Sequence, residues 1–481
     1  MPCLQTPATG DQTPGHAMNK LTSFQRKIAY AVGIVILLLP IIWLGMPAGR
    51  DETGRPTVGG KLATLRNEYD LGETSLGNVD PSSSTMNLVL LGFRGVATNL
   101  LGRNALEQRD QKQWAQLRST TDSIILLQPH YIKVWDFQGW NLAYNVSAEW
   151  DNVPDRYYWV KEGGKFLMRG TDRNARNPDL SFRTGYLLAQ KVGRSDEWQY
   201  FRDYFLADPD TATFEGGPDP DFNRGYDTGT FTDNYLAGRD WYIEANEREE
   251  KWPPQHVMMR EIFRSYPAHA YMEMSNARQR EGKFDETTRQ GWLDGFQAWT
   301  NDYGREEFPS RGGPVRMEVT TPDEFEELAR RNSEQLGRTV TVDELRQYVS
   351  FLQNTVNYRY WRMRSLAEAQ TNTVDAHRAV FDGQELFKQG KLGPAKEKLL
   401  EGLGKLEDLF ETFPRFEDDD LAVEEVLLAM VYLKAIYSLG GEEVPADLPL
   451  QRIWDANGET GRIDDAERQF RTQTTFSTNA N

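Results

Sequence analysis

Nineteen consecutive uncharged, mostly apolar residues, Ile28 to Met46 (IAYAVGIVILLLPIIWLGM), constrain this chain more than any other feature. At ~1.5 Å per residue, a helix of that length just covers a hydrocarbon core of about 30 Å. The run therefore predicts a transmembrane anchor. A buried core helix of this length normally keeps polar positions, and this one has no charge. Arg26 and Lys27 abut its start, Trp43 sits where an interfacial aromatic belongs, and Pro40 is a tolerable kink. A cleaved signal peptide shares the order of basic and then apolar residues. Here the run exceeds a usual h-region, and Met46, Pro47 and Ala48 do not give small residues at both cleavage positions. The immediate basic flank sets the N-terminus inside, although Arg50, Arg55 and Lys61 nearly balance it. The expected organisation is a short cytoplasmic tail 1–27, an anchor 28–46 in the cytoplasmic (inner) membrane, a linker 47–85 and an extracytoplasmic body. Met18 opens MNKLTSFQRK and is a second candidate start, one that would remove the single cysteine, Cys3.

The 481 residues have room for two or three domains, and 13 Trp, 20 Tyr and 23 Phe supply core anchors throughout. A net charge of −17 repels nucleic acid and anionic lipid. One cysteine excludes a disulfide framework, a cysteine-built zinc site and an iron–sulfur cluster within the chain. From Met86 onward, apolar residues recur at spacings of three and four, and no alternating strand pattern appears. The pattern predicts helices at 86–106, 114–127, 131–147, 155–169, 180–192, 196–206, 240–247, 254–281, 285–303, 322–336, 342–370, 372–389, 394–412 and 419–438. Thr321 with Glu324, and Thr341 with Glu344, have the spacing of a capping box. The fold class is all-α, with helical regions at 86–310 and 311–440, an insertion at 208–240, and a polar C-terminal tail at 441–481.

Helix pairs in series suggest repeats. Pro129, Trp135 and Gly139 fall where a tetratricopeptide repeat places its closing proline, first large residue and small crossing residue. In FDGQELFKQGKLGPAKEKLLEGL, Gly383, Gly390, Ala395 and Leu399 match the crossing, turn, helix B alanine and next apolar position. EGKFDETTRQ has the same turn at Gly282, with Thr287 in place of alanine. The body thus resembles tetratricopeptide-like (TPR-like) helical repeats in degenerate form. The stretches FRGVATNLL, LQPHYIKVWDFQGWNLAYNVSAEW and TDNYLAGRDWY are also similar to membrane-anchored helical-repeat proteins of planctomycete-type bacteria. The resemblance implies an α-solenoid that binds a protein partner, acting as a scaffold without catalysis.

No cofactor or metal motif is written in the chain. His130, His256, His269 and His377 are the histidines of the body, and no two share an i, i+4 spacing. Asp219, Asp221 and Asn223 alternate as in a calcium loop, but Arg224 stands where glycine is needed and no glutamate closes the loop. There is no Walker sequence, GxGxxG or GxSxG. The densest aromatic cluster runs from Trp135 to Trp159. Core packing is its first reading, and stacking on sugar rings would make a glycan-binding or glycan-processing protein the alternative. The residues expected to meet a protein partner in the cell envelope are Trp135, Asn141, Asn145, Arg183 and Asn276.

Overall fold

The computed structural model describes residues 22–45, then 49–50, 56–57, 60–61 and 64, and 94–477 apart from 227–228, 232, 253–257 and 320. Cys3, Met18 and His256 lie outside these residues, as does most of the expected linker. The chain divides into two units: residues 1–101 with 126–130, and the remainder.

In the first unit, helix α1 (Ser23–Gly45) covers the apolar run, and strands β1 (Gly49–Arg50) and β2 (Pro56–Thr57) pair antiparallel behind it. Ile34, Val35, Ile36, Leu37 and Leu39 of α1 are all exposed. Among the described residues no helix is long and apolar enough to cross a membrane.

Among the described residues of the rest, the regular elements are helices, with one isolated bridge, Phe308 to Val315. Helices α2 (Arg94–Asp110) and α3 (Trp114–Leu127) precede α4 (Ile132–Trp140), α5 (Val153–Arg173), α6 (Pro178–Tyr186) and α7 (Trp198–Leu206). A short α8 (Thr211–Phe214) lies in the insertion, and α9 (Asn234–Lys251), α10 (Arg260–Arg280) and α11 (Glu286–Gln297) follow it. The series ends with α12 (Pro322–Leu336), α13 (Val342–Thr355), α14 (Tyr358–Glu368), α15 (Thr371–Lys388), α16 (Leu392–Thr412), α17 (Asp420–Gly440), α18 (Gln451–Ala456) and α19 (Arg462–Ser477). Helices α4, α6 and α11 each run on into a π turn, at Asn141–Val146, Leu187–Val192 and Ala298–Tyr303.

Neighbouring helices pack in pairs, α4 with α5, α10 with α11 and α15 with α16 among them. Small residues permit the close crossings. A Cβ on Gly139 would lie 2.5 Å from Leu167 Cγ, and one on Gly383 would lie 2.7 Å from Leu399 Cγ. Gly282 and Gly390 turn between paired helices at φ +75°, a conformation that side-chain-bearing residues rarely adopt. Buried apolar residues form successive cores: Trp135 to Trp241, Ala268 to Ala369, and Ala367 to Ala466.

One expected helix needs correction, and the structure adds detail around three expected boundaries. The 342–370 helix is two helices, because Asn357 adopts φ +53° and breaks the hydrogen-bond ladder. The insertion is shorter than 208–240, since Asp233 caps α9 through Tyr235 N. The boundaries at 310 and 440 both fall inside cores. The tail 441–481 is not merely polar: Ile463, Ala466 and Phe470 give α19 an apolar stripe that packs on the last core.

Candidate partner-binding face

The five expected partner residues have different fates. Trp135 is 5% exposed and packs on Phe166 at 4.9 Å, and Asn141 is fully buried, so neither can meet a partner. Their helical turn is covered by α5, which fills the face that the sequence left open. Asn145 is half-buried, and its Nδ2 donates to Asn141 Oδ1 at 2.9 Å. Asn276 is half-buried on α10. Arg183 is exposed on α6, 3.3 Å from Asp136.

Around Arg183 the structure gathers residues that the sequence reading did not connect. Tyr144, Tyr186 and Tyr266 are half-buried and come from the first π turn, α6 and α10. Tyr266 packs edge-on against Phe182 at 4.8 Å and lies 4.9 Å from Tyr242, which is 2% exposed. Lys191, in the second π turn, holds its ammonium 5.2 Å from the Tyr144 ring. Trp140, 49% exposed, stacks on Tyr144 with ring centroids 5.5 Å apart. Arg194 Nη2 donates to Glu273 Oε1 at 2.9 Å. His269, one helical turn before Glu273, is wedged between Trp299 at 4.7 Å and Trp361 at 4.8 Å.

The electrostatics follow from this crowding. Burial, with Tyr186 nearby, pushes the Tyr144 hydroxyl up to about 12, and Arg183 only partly offsets it. Burial raises the Glu273 carboxyl, against the pull of Arg194 and Arg280. Burial, with help from the Arg194 charge, holds His269 down at about 4, so its imidazole is neutral at pH 7. The outcome is a face of neutral phenols and self-paired charges, with arginine and aromatic edges turned to solvent. His269 and Glu273 stand at i, i+4 in HAYME, a signal that a search for paired histidines passes over.

The insertion is fastened down rather than open. Lys161 Nζ donates to Asp208 Oδ2 at 2.6 Å, and Asp219 Oδ2 lies 3.3 Å from Lys161 and 2.5 Å from Lys165. Phe222 fills the space over Gly164, where a Cβ would lie 2.3 Å from its ring. Both lysines thus pair with the Asp219 carboxylate. Asn223 meanwhile donates to Phe205 O at 2.7 Å and accepts from Phe231 N at 2.8 Å. Asp219 and Asn223 are thus both engaged within the fold of the loop. Among the described residues no group of three or more His, Cys, Asp or Glu side chains could hold a metal ion. A cleft of about 380 Å³ remains between the loop and α5, lined by Tyr158, Glu162, Lys165 and Phe214 among others.

Comparison with protein-family models, curated proteins and solved structures finds no match to this chain.

Proposed function

We propose that this protein is a membrane-anchored, TPR-like α-solenoid that binds another envelope protein and carries out no catalysis. The observation that carries the reading is the face around Arg183. Exposed Arg183, Arg194 and Trp140 stand beside half-buried tyrosines from the first π turn, α6 and α10, and aromatic and arginine side chains dominate binding energy at protein interfaces. Serial helix pairs with glycine at their crossings support the repeat architecture, since stacked pairs create one extended surface. The anchor at 28–46, with the body outside the cytoplasmic membrane, rests on the uncharged apolar run of the sequence and its basic flank.

Affinity capture from the native membrane, followed by mass spectrometry, tests this reading. One stoichiometric envelope protein is expected with the native chain and at least a tenfold lower yield with Arg183→Ala/Trp140→Ala. Equal recovery by both would place the contact elsewhere. A glycan reading draws on one feature, the solvent-facing rings of Trp140, Trp150 and Tyr158. Trp135 and Tyr157 are core residues and give it no support. Capture of glycan without a protein would favour it.

A further inference from the structure

Two cations break the self-pairing of charges around Arg183. Lys191, in the π turn Leu187–Val192, is half-buried, with its ammonium 5.2 Å from the Tyr144 ring and 5.8 Å from the Phe201 ring. Arg280, at the end of α10, is exposed and lies 4.6 Å over the Trp198 ring. Among the described residues neither side chain has a hydrogen bond or an ion pair, and the Lys191 nitrogen is open to solvent. Trp198 and Phe201 both belong to α7 and stand one turn apart, at i and i+3, which sets the two cations along one side of that helix.

Aromatic rings attract a cation through their faces, but they do not replace the oxygen acceptors that an ammonium or guanidinium can bind. Burial pulls the Lys191 ammonium below its ordinary value; Glu197 and Asp196 act against that, and Arg156 adds to it. A half-buried cation without an acceptor carries a desolvation cost that an incoming carboxylate offsets. The neighbouring carboxylates are engaged by other cations. Glu197 is bound by Arg156, Glu281 by Arg202 and by Lys283 at 2.8 Å, and Glu273 by Arg194 at 2.9 Å. Asp196 is exposed and reaches Lys191 only through its charge.

We infer that Lys191 and Arg280 form a docking strip for an acidic polypeptide segment, whose carboxylates take the open N–H donors of both cations. The inference rests on the partner reading and adds the partner's chemistry: although the chain carries −17 overall, its partner meets it here through Asp or Glu side chains. A strip built on partly exposed charge loses affinity as salt rises.

Fluorescence anisotropy of a labelled hexaglutamate peptide with the full chain at low salt tests the inference, with labelled hexalysine alongside. Saturable binding of hexaglutamate and none of hexalysine is expected. Lys191→Met, which keeps an apolar stem beside both rings, should weaken the Kd about tenfold, the loss of one charged hydrogen bond. Lys191→Arg should retain binding, and Lys434→Met, which removes an ammonium held over Trp454 instead, should leave the Kd unchanged. Absent hexaglutamate binding, equal binding of hexalysine, or an unchanged Kd in folded Lys191→Met overturns the site. If that variant does not fold, Arg280→Met replaces it with the same required loss. Hexaglutamate binding without a captured envelope protein would sink the partner reading and leave the acidic site standing, whereas a captured partner with no hexaglutamate binding sinks the inference alone.

Discussion

His377 stands between two carboxylates, with Nδ1 2.8 Å from Glu425 Oε1 and Nε2 3.1 Å from Glu368 Oε2. Burial opposes its charge, but Glu425 and Glu368 overcome that and hold the imidazolium well above the ordinary range. Burial would likewise raise Glu368, yet His377, Arg364 and Gln279 bring it down to about 2. The raised histidine adds stability that is complete below its unfolded value of about 6.5 and is lost as pH rises through the folded value. The depressed glutamate adds stability that is complete above about 4.5 and is lost as pH falls towards 2. Thermal melts should therefore show both contributions intact between about pH 4.5 and 6.5. In His377→Gln the alkaline decline should flatten, and profiles parallel to the native chain would refute the assignment. None of this is legible in the sequence, because the partners of His377 lie 9 and 48 residues away. By contrast, Gly139, Gly383, Gly282 and Gly390 could be read directly, since crossings and turns impose local demands on a residue.

Helix starts show how far local grammar reaches. At α12 the full capping box forms: Glu324 N donates to Thr321 Oγ1, and the Glu324 carboxylate accepts from Thr321 N. At α13 only half forms. Thr341 Oγ1 accepts from Glu344 N at 3.2 Å, while the Glu344 carboxylate turns to Arg338 at 2.8 Å. Thr321→Ala and Thr341→Ala should each cost about 1 kcal/mol in chemical denaturation, within a range of roughly 0.5–2 kcal/mol. Glu324→Ala should weaken its cap, whereas Glu344→Ala should act mainly through the exposed Arg338 pair and cost less. Equal losses at the two glutamates would contradict this difference. The spacing could be read from sequence, but the competition from Arg338 could not. The π turns were equally hidden, and they matter because they carry Tyr144 and Lys191 onto the candidate face.

At the scale of the whole chain, helical periodicity was enough for the all-α class and for most of the helices. It failed where tertiary packing decides, as in α19, whose polar residues outnumber its stripe. Phe470 lies 4.7 Å from Tyr432 and 5.5 Å from Phe387, and Tyr432 donates to Gln473 Oε1 at 2.8 Å. Removing residues 445–481 should lower the Tm sharply, because Leu448, Leu450 and Ile453 also leave the last core. Burial of such side chains contributes about 1.5–3 kcal/mol each. An unchanged melting curve would show that the segment is dispensable. Of the candidate face the sequence reading named Arg183 alone, because Tyr186, Arg194, Tyr266 and Glu273 come together through contacts up to 79 residues apart. The most direct test of the central claim is photo-crosslinking in the native membrane from a probe at position 183, compared with one at the exposed position 330. The account predicts one discrete protein adduct from 183 and none from 330. The same adducts from both positions, or none from 183, would contradict it.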